Sequence, residues 1–168
     1  MRDLVRRAMA EGALGLSTGL YYAPGSYGTT GEVIELAKVA AAAGGIYDSH
    51  IRDESSYTVG LLGAVDEALR IGREARIPVH IAHAKALGRD VWGYADSIIA
   101  HVAGARAGGQ IVTADQYPYN ASGTSVGASL LPRWAEAGGR DSLSARLRDA
   151  GTRERIVAAM VDNLRRRG

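Results

Sequence analysis

The chain of 168 residues contains no cysteine, so disulfides and thiolate metal ligands within it are excluded. Phenylalanine is absent too, yet 46% of the residues are hydrophobic, many of them Ala, alongside many Gly. That is enough apolar material for a packed core and argues against disorder. Long hydrophobic runs are missing: no window approaches the roughly 20 apolar residues that a membrane-spanning helix needs. The opening stretch MRDLVRRAMAEG is charged and lacks a continuous apolar segment, so neither a signal peptide nor a membrane anchor is expected, and the lack of cysteine fits a cytoplasmic protein. A dominant charge is missing as well, the formal net charge being only +2. The basic run Arg165-Arg166-Arg167 follows the amphipathic IVAAMVDNL and reads as a solvated helix end that favours the helix dipole. No aromatic interleaving accompanies it, so neither nucleic acid nor membrane is expected as a partner.

What is present is an alternation of short apolar runs with amphipathic stretches. Apolar periodicity predicts a helix over 3–11, then a strand over ALGLST (13–18) and a loop rich in Gly, Tyr and Pro. EVIELAKVAAAAGG predicts the next helix, GIYDSH (45–50) a strand, and GLLGAVDEALRIGREA (60–75) a helix. IPVHIAHA (77–84) reads as a strand, with Pro78 tolerated near its start. YADSIIAHVAGARAGG (94–109) reads as a helix and QIVTADQYPY (110–119) as a strand running into a loop. This is the pattern of an α/β fold with a parallel sheet. Past Ser122 the rhythm breaks into loop and short-helix character, with a last helix that Thr152 caps. The expected organisation is four βα units over 1–125 and a helical insert or tail over 126–168. Four units suit either a small doubly wound domain or half of an eightfold barrel. The glycine-rich GLSTGLYYAPGSYG has neither GxGxxG nor GxxxxGK[ST], so nucleotide binding gains little.

Parallel α/β folds place chemistry at the C-terminal ends of their strands. His50 stands where GIYDSH gives way to IRDESS, His83 near the end of IPVHIAHA, and Asp115 at the matching place in QIVTAD. Strand alternation sends His80 and His83 to opposite faces. His83, nearer the rim, is the candidate ligand, and His80 is expected to pack between strand and helix. His101, inside a helix, is expected to serve surface or helix packing. Arg52 and Glu54 read as a local ion pair. Two imidazoles on adjacent strands suit a divalent transition metal, zinc above all, but a catalytic zinc wants about three protein ligands.

The segments GALGLSTGLYYAPGSYGTTGEVIELAKVAAAAGGIYDSHIRDE, IGREARIPVHIAHAKALG and TADQYPYNASGTS, in this order, resemble the N-acyl-D-amino-acid deacylases (D-aminoacylases) of the amidohydrolase superfamily. The likeness covers residues 1 to 135. It implies a partial (β/α)₈ TIM-like barrel, the middle portion of the complete one, with a C-terminal helical excursion. It implies zinc as cofactor, with His50 and His83 as metal ligands on the fifth and sixth strands. It implies Lys85 near the carboxylate of an N-acyl-D-amino acid substrate, with Tyr117 in the same pocket; on residue type alone, both are equally loop residues. The family's HxH pair, its metal-binding cysteine and its general-base aspartate have no counterpart in these residues. They are expected upstream of Met1 and downstream of Gly168, and the isolated chain is then expected to be inactive. SGTS (122–125) matches the pocket loop only approximately, and Ala84 stands where many relatives carry a further histidine. Two other readings stay open: a non-catalytic remnant or assembly piece of a barrel, and a dihydroorotase- or hydantoinase-like amidohydrolase. On any of them, a partial barrel is expected to oligomerise through its open edges.

Overall fold

The computed structural model describes residues 1–167. After a first helix α1 (Arg2–Ala10), strand and helix alternate as β1 (Gly15–Gly19), α2 (Thr30–Ala42), β2 (Ile46–His50), α3 (Leu61–Ala75), β3 (Val79–Ile81), α4 (Ala95–Ala107) and β4 (Val112–Ala114). The strands form one parallel sheet in the order β1-β2-β3-β4. Four further helices follow: α5 (Val126–Leu130), α6 (Arg133–Glu136), α7 (Gly139–Arg148) and α8 (Ala150–Arg167).

The helix boundaries have local causes. α2 starts two residues before the expected Glu32 because Thr29 and Glu32 form a capping box: Thr29 Oγ1 accepts from the Glu32 amide, and the Glu32 carboxylate accepts from the Thr29 amide at 2.8 Å. α3 ends where Arg76 turns left-handed (φ 55°) and the Ile77 amide donates back to Gly72 O at 3.0 Å. Gly72 is needed for close packing, since a Cβ there would lie 2.2 Å from Val79 Cγ2. α8 begins before Thr152, the residue expected to cap it. Asp149 fills that role, accepting from the Thr152 amide at 2.8 Å, because a carboxylate already stands one turn ahead.

Alternation along the strands divides the sheet into two unlike faces. Tyr47, Val79, Ile81 and Val112, all at most 2% exposed, lie on the covered side in one cluster with Val33, Ile34, Leu61, Val65 and Leu69 from α2 and α3. The opposite side carries a polar row in register, Ser17, Asp48, His80 and Thr113. Two residues before Asp48 and Thr113, and so on the same side, stand Ile46 of β2 and Ile111 just ahead of β4, here 43% and 67% exposed. His80 therefore does not pack between strand and helix as expected. It belongs to the open face, where Nδ1 meets Thr113 Oγ1 at 2.8 Å and Nε2 meets Asp115 Oδ2 at 3.1 Å. Regular alternation does not reach residue 84, because β3 ends at Ile81 and His83 has φ 39°.

Candidate metal centre

Four loops bring the site together at the C-terminal ends of β1, β2, β3 and β4. The loop after β2 is organised by Asp53, fully buried, whose carboxylate accepts from the amides of Ser55 (2.9 Å) and Gly60 (3.1 Å) and from Thr58 Oγ1 (3.1 Å). That wrapping fixes the neighbouring Glu54, itself buried, toward the strand ends. Arg52 does not pair with Glu54, as expected from proximity in sequence. Its guanidinium grips Glu67 of α3 through two bonds of 2.8 and 2.9 Å and donates to Ser26 O and Gly28 O. The fork geometry of a guanidinium favours such a bidentate partner. The consequence is a tether from α3 to the loop after β1, which carries Tyr21 and Tyr22 over His50 with ring centroids 5.7 and 4.8 Å away.

His50 Nδ1 and His83 Nε2 face one another at 2.9 Å. Lys85 Nζ donates to His83 Nδ1 at 2.8 Å and also to Glu54 Oε1. These contacts assign the tautomers. With its Nδ1 accepting from an ammonium, His83 carries its proton on Nε2 and donates to His50 Nδ1, which leaves the His50 proton on Nε2. That Nε2 is buried and has no hydrogen-bond partner among the described residues, Glu54 Oε1 standing 3.8 Å away. Burial pushes the His50 imidazole down to about 4, and its neighbours His83 and Lys85 act in the same direction. His50 therefore stays neutral at pH 7, the state in which an imidazole binds metal.

The donor set fits a divalent ion. One donor atom each of His50, Glu54 and His83 lies within 4.8 Å of the others. A metal between the facing nitrogens would displace the bridging proton, and His83 would stay neutral by carrying that proton on Nδ1 toward Glu54 Oε1 at 3.3 Å, with Lys85 keeping its bond to Glu54. The proton-bearing His50 Nε2 lies 3.8 Å from the same oxygen. A carboxylate behind metal-binding histidines commonly sets their orientation. The cluster forms one wall of a cavity of about 320 Å³. Lys85 and Tyr117 line it too, with the lysine nitrogen 5.5 Å from the Tyr117 ring centroid, as do Ser122 and Thr124. Ser125 is turned away to cap α5, accepting from the Ala128 amide at 3.1 Å.

The four residues singled out from the sequence, His50, His83, Lys85 and Tyr117, thus lie around one cavity. Glu54 joins the cluster although the sequence does not mark it, because in a loop its spacing from His50 carries no directional information. Asp53 had a readable signal, an acid followed by Ser-Ser and Thr in a turn-rich segment. His101 lies on α4 with Nδ1 2.6 Å from Asp66 Oδ1 of α3, a surface link between helices. Arg165 and Arg166 lie near the end of α8, Arg166 paired to Asp162 at 3.0 Å. No helix among the described residues is long and apolar enough to cross a membrane.

No family model matches the chain. Individual relatives do. D-aminoacylase of Alcaligenes xylosoxydans xylosoxydans is 44% identical over 124 residues, 74% of this chain and 25% of that enzyme. A solved structure of D-aminoacylase, described as defining a novel subset of amidohydrolases, superposes with a TM-score of 0.66 at 38% identity, covering 70% of this chain and 24% of that one. N-acyl-D-glutamate deacylase from Bordetella bronchiseptica, solved with zinc and a phosphonate mimic of the tetrahedral intermediate, gives 0.71 at 37% identity, covering 81% and 27%. The chain spans about a quarter of the length of these relatives. The four βα units accordingly match part of the amidohydrolase (β/α)₈ barrel, the fold that the resemblance implied.

Proposed function

We propose, for a chain that belongs over its aligned stretch to the N-acyl-D-amino-acid deacylase family of amidohydrolases, that its cavity is part of a zinc-dependent site hydrolysing the amide bond of N-acyl-D-amino acids to a D-amino acid and a carboxylate. The observation that carries this reading is the pair of facing ring nitrogens, His50 Nδ1 and His83 Nε2, at the wall of a cavity that also presents Lys85 and Tyr117. His50 and His83 would hold the metal, with Glu54 the carboxylate nearest both rings. When bound, zinc supplies Lewis-acid polarisation of an amide carbonyl and lowers the pKa of water toward neutrality.

The remaining roles belong to the chain's own side chains. Lys85, held by Glu54, presents a fixed positive charge for the substrate carboxylate. Tyr117, beside the Lys85 nitrogen, forms the adjoining wall, and Tyr21 and Tyr22 shield the His50 side from water. Glu54 is the one carboxylate among the described cavity residues, and its Oε1 is already engaged by Lys85. A general base of another element is therefore required, and the isolated chain is inactive. The test is hydrolysis of N-acetyl-D-amino acids by the purified chain with and without zinc. No zinc-dependent rate above background is expected; a substantial one would overturn this assignment of roles.

The open sheet face, with Ile46 and Ile111 exposed beside polar Ser17 and Thr113, supports a second element of the reading: in isolation the chain self-associates through this face and the sheet's unpaired edges.

A further inference from the structure

Asp115 and His80 lie outside the His50–Glu54–His83 group, yet both bear on where His83 points. In a parallel ladder, a residue donates its amide to one carbonyl of the neighbouring strand and accepts from the amide two residues further on. Asp115 donates to Ile81 O at 3.2 Å, so regular pairing would have it accept from His83. It accepts instead from Ala84, at 2.8 Å. One extra residue has been fitted between the rungs, which is a β-bulge. The insertion moves His83 off the covered face that Val79 and Ile81 share and turns it toward His50. It also puts a non-glycine residue at φ 39° and displaces the His83 amide from the ladder. The Asp115 carboxylate catches that displaced amide: Oδ1 accepts from His83 N, while Oδ2 meets His80 Nε2 at 3.1 Å. His80 is held in turn by Thr113 Oγ1 at 2.8 Å.

We propose that Asp115 is the positioning residue of the metal centre: by accepting the amide freed at the Ala82–His83 bulge, and steadied by His80, it sets the His83 imidazole against His50. The proposal rests on the reading of His50 and His83 as the metal pair but is tested partly without metal. An unsupported left-handed histidine would relax toward extended backbone and return its ring to the other side of the strand.

The experiment compares the unaltered chain with D115A and D115N, the latter keeping a carbonyl acceptor for the His83 amide. In metal-free protein labelled at histidine, nuclear Overhauser contacts between the His50 and His83 rings should be present in the parent and in D115N and lost in D115A. Titration with Co²⁺, followed by its visible absorption, should show about 10- to 100-fold weaker binding for D115A and a D115N affinity close to the parent's. Parent-like ring contacts and Co²⁺ affinity in D115A would overturn the proposal. A parent chain that takes up no Co²⁺ would instead count against the metal reading, and the ring contacts would still decide the role of Asp115. If D115A is unfolded by circular dichroism, H80A decides the matter. It leaves the amide acceptor but removes its support, so the ring contacts should weaken, and unchanged contacts would refute the proposed support.

Discussion

The two faces of the sheet obey different rules although they are built from the same strands. On the covered face, Tyr47, Val79, Ile81 and Val112 are all but inaccessible beneath α2 and α3. On the open face, one residue further along, Ser17, Asp48, His80 and Thr113 form a polar row. The first face holds the molecule together through burial of apolar area. The second carries polar groups toward the candidate metal centre. A single extra residue after Ile81 moves His83 from the first regime to the second, which shows how little of the backbone needs to depart from regularity for a site to form.

Substitutions on each face should break this comparison in graded steps. The largest effect is expected for Ile81→Ala on the covered face. Ile81 is fully buried, so loss of its side chain should cost about 2–5 kcal/mol, read as a lower urea midpoint at unchanged slope. A loss under about 1 kcal/mol would show that this face is less tightly packed than its burial implies.

An intermediate effect is expected on acidification. His50 is driven down to about 4 in the folded chain, mainly by burial, whereas it titrates near 6.5 when exposed. Between these values the unfolded chain binds more protons than the folded one, so stability rises with pH in this window. The His50 contribution is complete above pH 6.5 and is lost as pH falls toward 4, by at most about 3 kcal/mol. Urea midpoints from pH 7.5 to 4 should fall accordingly, and His50→Gln should flatten the upper part of that profile. An equally steep decline in the variant would assign the acid sensitivity to other groups.

The smallest effect on stability is expected on the open face. Ile111→Lys, at a position already 67% exposed, should change stability by no more than about 0.5 kcal/mol. Sedimentation should nonetheless show weaker self-association than in the parent. A parent chain that is monomeric at micromolar concentration would remove the basis for self-association through this face.

Much of the molecule was legible before its structure. The helices were marked by apolar positions three and four apart, and β2 by an apolar run ending in a histidine, because local periodicity records which side of an element is buried. The resemblance of SHIRDE, HIAHAK and DQYPY to one family then singled out His50, His83, Lys85 and Tyr117, which do share one cavity. Parity failed at VHIAHAK. It assumed a strand to residue 84, and a bulge stabilised from a neighbouring strand leaves no periodic signature. Arg52 was misassigned to Glu54 for a similar reason, since its partner Glu67 lies in the next helix.

Composition and order along the chain thus determined the alternation of strand and helix, the covered face and the identity of the histidines that end β2 and follow β3. Tertiary structure alone decided which nitrogens face each other, that Glu54 stands behind both rings, and that Asp115 reaches the His83 amide across the sheet. The first set depends on burial patterns repeated every two or every 3.6 residues, which a sequence carries within a short window. The second depends on contacts between residues about 30 positions apart, whose geometry exists only once neighbouring strands are in register.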